Sequence, residues 1–120
     1  MLNPFIKEKL DYILEHAKMI SVYYKGINQP GDFKTTEEGI MKFDAIISRL
    51  QALAENFKKI EKIQPGFVEK NITAEIEKII KFRDFISHHY EKLDYAIIFE
   101  ICRDNIPLLI PSIQDYLSKT

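Results

Sequence analysis

The stretch RDFISHHY, Arg83 to Tyr90, concentrates the residues of this chain that can do phosphate and proton chemistry. Arginine presents a planar fork of donors that matches phosphate oxygens. Histidine titrates near neutrality and can take or give a proton in a transition state. Asp84 stands four residues before His88, a spacing at which side chains meet on one helix face, so it can orient the imidazole and raise its pKa. Arg83 and His88 are five apart, about 140° on a straight helix. They converge on one small ligand only near a helix end, or when a second copy of the chain supplies the other group. Ser87 and Tyr90 share the arginine's face if the helix continues that far, and His89 stands beside His88.

The element that must carry these groups reads as an apolar helix. On a helical wheel Ile72, Ile76, Ile79, Ile80 and Ile86 fall on one face, with Arg83 near its middle. A lone charge is costly to bury without a partner. The residues alone leave two readings open. Either the face opens onto a cleft or an interface at Arg83, or Arg83 has an acidic partner and is structural. In the second reading His88 and His89 form a solvated helix end, favoured by the dipole, and Tyr90 closes the core. Metal chemistry has less support. No Glu-x-x-His pair suits a di-iron bundle, and no Cys/His set has zinc spacing. Neither a metal nor a cofactor is expected, and there is no glycine-rich phosphate loop. His16, among Glu15 and Lys18, reads as a surface residue. Cys102 follows Ile97, Ile98 and Ile101 and reads as a core thiol.

The remaining elements are helical too. Asn3 can cap a first helix with Pro4 at its first position. That helix buries Leu10, Ile13, Leu14, Ala17 and Ile20 and ends near Gly26. KGINQPGD, Lys25 to Asp32, is a loop. The second helix starts near Thr35 or Thr36, where Thr35 and Glu38 have capping-box spacing. Its stripe is Ile40, Phe43, Ile46, Ile47, Leu50, Leu53, Ala54, Phe57 and Ile60, and it stops before Pro65 and Gly66. A third helix runs from Phe67 or Asn71 to the histidines, with Glu75 and Glu77 near its start. A fourth begins near Asp94, and Pro107 and Pro111 predict a kink or a helix pair after it. No segment alternates with period two. The fold class is all-α, an up-and-down bundle of four or five helices.

Composition bounds the function. The 120 residues fit one domain, 1–120, and 46% of them are hydrophobic, enough for one core. Formal charge is −1 and the pI about 6.3, so no whole-surface basic field for nucleic acid exists. RNA binding would need a local basic patch, assembled for instance by oligomerisation. One cysteine excludes an internal disulfide and fits a reducing cytoplasm. No signal peptide is visible, and no apolar run approaches the roughly 18 residues of a membrane span.

The segment RDFISHHYEKLDYAIIFEICRDNIPLL resembles the small HEPN-domain proteins of the HepT type, ribonuclease toxins of two-component toxin–antitoxin systems. Their signature is arginine, four residues, histidine, one residue, tyrosine, here Arg83, His88 and Tyr90. The apolar helix ending in NIPLL matches as well, and SRLQALAENFKKI resembles the family's second helix, with Ala54–Glu55 at its small-residue–glutamate place. Asp84 stands where the family often has asparagine, and His89 where an acid is frequent. The resemblance implies a metal-independent endoribonuclease acting as a homodimer, with two motifs facing one cleft. Arg83 and His88 would be catalytic, with Asp84, Ser87 and His89 in support. It also implies a nucleotidyltransferase antitoxin that transfers AMP to Tyr90, as in type VII-like pairs. The alternative is a non-catalytic helical partner, or substrate-presenting subunit, of a nucleotidyltransferase.

Overall fold

Asn3 sets the first helix by a local bond. Its Oδ1 accepts from the backbone N–H of Phe5 at 2.8 Å and of Ile6 at 3.3 Å, two donors that the first turn leaves without a helical partner. Pro4 follows at a position where a missing N–H costs nothing. The computed structural model describes residues 2–72, 76–81 and 94–120. Helix α1 spans Pro4–Tyr24 and buries Ile6, Leu10, Ile13, Ala17 and Ile20, while Leu14 is only half-buried. Gly26, at φ +87°, takes the left-handed turn that releases the chain.

The loop that follows contains a 3-10 turn, Pro30–Phe33, which drives Phe33 into the core. Helix α2 spans Glu37–Ile63. Its cap is Thr36, whose Oγ1 accepts from Gly39 N–H at 2.9 Å, and not the expected Thr35–Glu38 box. Nearly the whole expected stripe is buried, from Phe43 to Ile60. Ile40 is the exception at 46% exposed: the buried arc is centred on Gly39, Phe43, Ile46 and Leu50, and Ile40 stands about 100° from Gly39. Gly39 itself lies against the Asp32 carbonyl, so closely that a Cβ there would collide with it.

Lys42 Nζ donates to the Lys25 carbonyl at 2.6 Å, and Arg49 meets His16 further along. The pairs run in opposite senses, so α1 and α2 form an antiparallel hairpin. Helix α3, Phe67–Asn71, is a single short piece entered through Gly66 at φ +82°. Glu61 holds this turn, its two oxygens accepting from Gly66 N–H at 3.1 Å and Val68 N–H at 3.0 Å. Ile72 is extended, at φ −106° and ψ 117°, so the single third helix expected from the wheel is interrupted there. Among the described residues, 77–81 are helical and are called α4.

Helix α5 opens at Tyr95–Glu100, widens into a π-helical stretch over Ile101–Asn105 and closes as Ile106–Ser118. Asp94 caps it, accepting from Ala96 N–H at 2.8 Å. In the π stretch Ile106 N–H reaches back five residues to the Ile101 carbonyl. The widened turn precedes Pro107, whose ring would crowd the carbonyl four residues back in a regular α-helix. The expected disturbance near Pro107 thus takes the form of a π stretch, while the helix continues through Pro111. Phe99 packs edge-on against Tyr24, and Tyr116 against Phe67 beside Leu2 and Asn3. Helix α5 therefore runs antiparallel to α1. Five helices, and no strand among the described residues, make an all-α up-and-down bundle.

Candidate functional site

Arg83, Asp84, Ser87, His88, His89 and Tyr90 lie outside the described residues, as do Ile86 and Glu75. The elements that flank them are described on both sides. Upstream, Ile79 is completely buried and anchors α4 in the core. Lys78 Nζ meets Glu100 Oε1 at 2.7 Å, tying α4 to α5. This pair is half-exposed, so it orients the two helices more than it stabilises them. Downstream, the Asp94 cap fixes where α5 begins. Tyr95 then stacks on Phe43 of α2 at 4.6 Å between centroids, and Lys34 Nζ sits 5.7 Å from its ring centroid. The chain thus enters the segment 82–93 from one anchored helix and leaves it into another. Lys78, Glu100 and Tyr95 hold the flanking helices and were not singled out by the sequence reading, which did place the start of the last helix near Asp94. Only Asp94, as a cap before an apolar run, carried a local signal.

Among the described titratable groups two stand out. His16 is half-buried rather than on the open surface, and its Nδ1 lies 3.1 Å from Arg49 Nη1. A guanidinium only donates, so the imidazole accepts and carries its proton on Nε2. Burial lowers the His16 pKa from the ordinary histidine value; the positive Arg49 lowers it further, and Glu15 opposes both. No sequence spacing signals a pair 33 positions apart. Cys102 is buried, and burial pushes its thiol up to about 12, so it is protonated and unreactive at neutral pH. That agrees with a core thiol. No group of three His, Cys, Asp or Glu side chains is placed to hold a metal ion among the described residues. No helix among them is long and apolar enough to cross a membrane.

Among the described residues, concavities open at several places. One, of about 420 Å³, lies at the start of α2 between Asp32, Thr36 and Lys42. Another, of about 380 Å³, lies where the two ends of the described chain meet, between Asn3, Lys70, Asn71 and Lys119. A third, of about 640 Å³, has an aliphatic floor of Val68, Ile72, Ile76 and Ile80 and lies between the end of α2, α3 and α4. The isoleucine stripe of the third helix is therefore divided. Ile79 joins the core, whereas Ile76 and Ile80 are half-buried in the floor of this groove.

The sequence model of the family described as ribonuclease HepT-like matches residues 13–116, well over half of the chain. The matched span runs from the middle of α1 to the last turns of α5 and includes all of Arg83 to Tyr90. No curated protein and no solved structure matches the chain. The helical bundle agrees with the family match, and the chain belongs to the HepT-like ribonuclease family.

Proposed function

We propose that this protein is a metal-independent endoribonuclease toxin of a type VII-like toxin–antitoxin pair, cutting RNA with Arg83 and His88 across a homodimer cleft. One observation carries the reading: a ribonuclease family model spans the chain and encloses an arginine, histidine and tyrosine in Arg-x4-His-x-Tyr spacing. The residue types suit the reaction. A ribose 2′-oxygen attacks the adjacent phosphorus, and the bond from phosphorus to the 5′-oxygen breaks. The products are a 2′,3′-cyclic phosphate and a 5′-hydroxyl. One proton leaves the 2′-hydroxyl and one must reach the leaving oxygen, a task for His88 and its copy in the second subunit. Arg83 supplies charge to the crowded phosphorane oxygens. Asp84, four residues before His88, orients the imidazole, while Ser87 and His89 flank the pair. Two copies in one cleft give two arginines, which gathers positive charge despite a chain charge of −1.

Control runs through Tyr90. A nucleotidyltransferase antitoxin would join the Tyr90 oxygen to the α-phosphorus of ATP, with the phenolic proton lost and pyrophosphate leaving. The adduct places a phosphodiester two residues from His88, where its charge competes with RNA for Arg83. The test is an RNA cleavage assay on the purified chain in excess chelator, with and without the cognate nucleotidyltransferase, ATP and magnesium in a preceding step. Cleavage in chelator, silencing with an AMP mass shift on the Tyr90 peptide, and an active Tyr90→Phe variant that escapes silencing are expected. A chain that cuts no RNA under any of these conditions is a binding partner and not a nuclease. Antitoxin that silences the Phe variant fully would move control away from Tyr90.

A further inference from the structure

The groove between α2, α3 and α4 is chemically one-sided. Its floor is aliphatic and supplied by four side chains, two of which, Val68 and Ile72, are held almost wholly buried from below. Its rim is charged. Among the described residues, Glu61, Glu69 and Glu77 stand around it with Lys81. That lysine is already taken, since its Nζ lies 2.9 Å from Glu77 Oε1. Glu61 is fixed in place by the two backbone N–H groups of the α3 turn. The rim therefore presents net negative charge around an apolar floor.

That combination selects the occupant. RNA phosphate is repelled by the rim, so the groove is not a track for substrate. Among the described residues the floor offers a small polar ligand no polar group to orient it. A second copy docking its own groove across a two-fold axis would set this rim against the same carboxylates. What fits is a helix with aliphatic anchors at i, i+3 or i+4, and i+7, and cations on either side. We infer that this groove docks an amphipathic helix of a protein partner, aliphatic on its buried face and rich in lysine or arginine along its flanks. The inference does not depend on the nuclease reading, because it uses none of the motif residues.

The probe is a fluorescein-labelled helical peptide of roughly 18 residues, leucine on one face and lysine on the flanks. Its counterpart carries glutamate in place of lysine. Fluorescence anisotropy on the intact chain should show the lysine peptide binding at least about tenfold more tightly than the glutamate peptide. Glu69→Lys with Glu77→Lys should reverse that preference; both positions are exposed, and circular dichroism checks that the helices persist. Ile76→Asp should weaken the lysine peptide by about tenfold or more. Equal binding of the two peptides, or an unchanged preference in the charge-reversed protein, overturns the inference. So does a change of oligomeric state on Ile76→Asp by analytical sedimentation, which would make the groove a contact between copies of this chain.

Discussion

From Pro4 to Ile63 the chain forms two long uninterrupted helices, whereas from Phe67 to Ser118 its described parts change course repeatedly. In the α1–α2 hairpin each start is capped by its own side chain, Asn3 or Thr36, and each buried stripe repeats at three and four. The later part is entered through a left-handed Gly66, becomes extended at Ile72, and widens into a π stretch before Pro107. The contrast separates two tasks. A regular hairpin gathers most of the large buried side chains and supplies a platform. The irregular half holds the Arg83–Tyr90 motif in its sequence and the aliphatic groove on its surface. Within α4 itself successive side chains point about 100° apart, so Ile79 enters the core while Ile80 lines the groove.

The contrast can be broken most sharply at the motif. His88→Ala should reduce RNA cleavage by about 10²–10⁴-fold while the thermal midpoint stays near that of the parent. Arg83→Ala should lose activity as well and loosen the proposed homodimer, and His89→Ala should be milder. Cleavage at the parent's rate by His88→Ala would remove the acid–base assignment.

On the platform side, Phe57→Ala should cost about 3–5 kcal/mol in urea denaturation, because Phe57 is fully buried in α2. Cleavage per folded molecule should not change. A cost near zero would mean that the hairpin is not where stability resides.

A smaller effect is expected where the 3-10 turn meets the platform. Gly39→Ala should cost about 1–3 kcal/mol, since the new methyl meets the Asp32 backbone carbonyl, which cannot swing away like a side chain. Gly31→Ala, where a Cβ meets nothing within 4 Å, is the control and should stay within about 0.5 kcal/mol. Equal costs at the two glycines would show that the close approach is not a constraint.

The smallest effect is a pH slope. His16 has a lowered pKa in the folded chain, so on acidification the unfolded chain takes up its proton first. Its contribution is fully present above the ordinary histidine value and falls as pH drops toward the folded pKa. His16→Gln should flatten the decline of the thermal midpoint between about pH 7.5 and 5.5. The facing charge is Arg49 on α2, with Glu15 beside His16 on α1. An unchanged slope would place the acid sensitivity in other groups.

The two hairpin helices were legible because their signals are local. Caps, proline at a first turn and three-four spacing act within a few residues, so Asn3, Pro4 and the stripe from Phe43 to Ile60 could be read directly. The errors there concern single residues. Thr36 caps in place of Thr35, and Ile40 falls outside the buried arc. The family was legible for another reason: Arg83, His88 and Tyr90 stand in Arg-x4-His-x-Tyr spacing, and the family model matches over residues 13–116.

By itself the sequence determined the helical class, the two long helices and the cap at Asp94, all set by interactions between near neighbours in the chain. The family membership rests on the same sequence, through the match over residues 13–116. Only the tertiary structure decided the rest. Whether an isoleucine on a helical stripe is core or groove depends on what packs opposite, which put Ile79 inside and left Ile76 and Ile80 half-open. The break at Ile72 overrides a wheel that reads as one helix. The Arg49–His16 bond joins residues that no spacing rule connects. Such features are set by contacts between elements far apart in the chain, and those contacts exist only once the hairpin has folded and α5 has packed beside it.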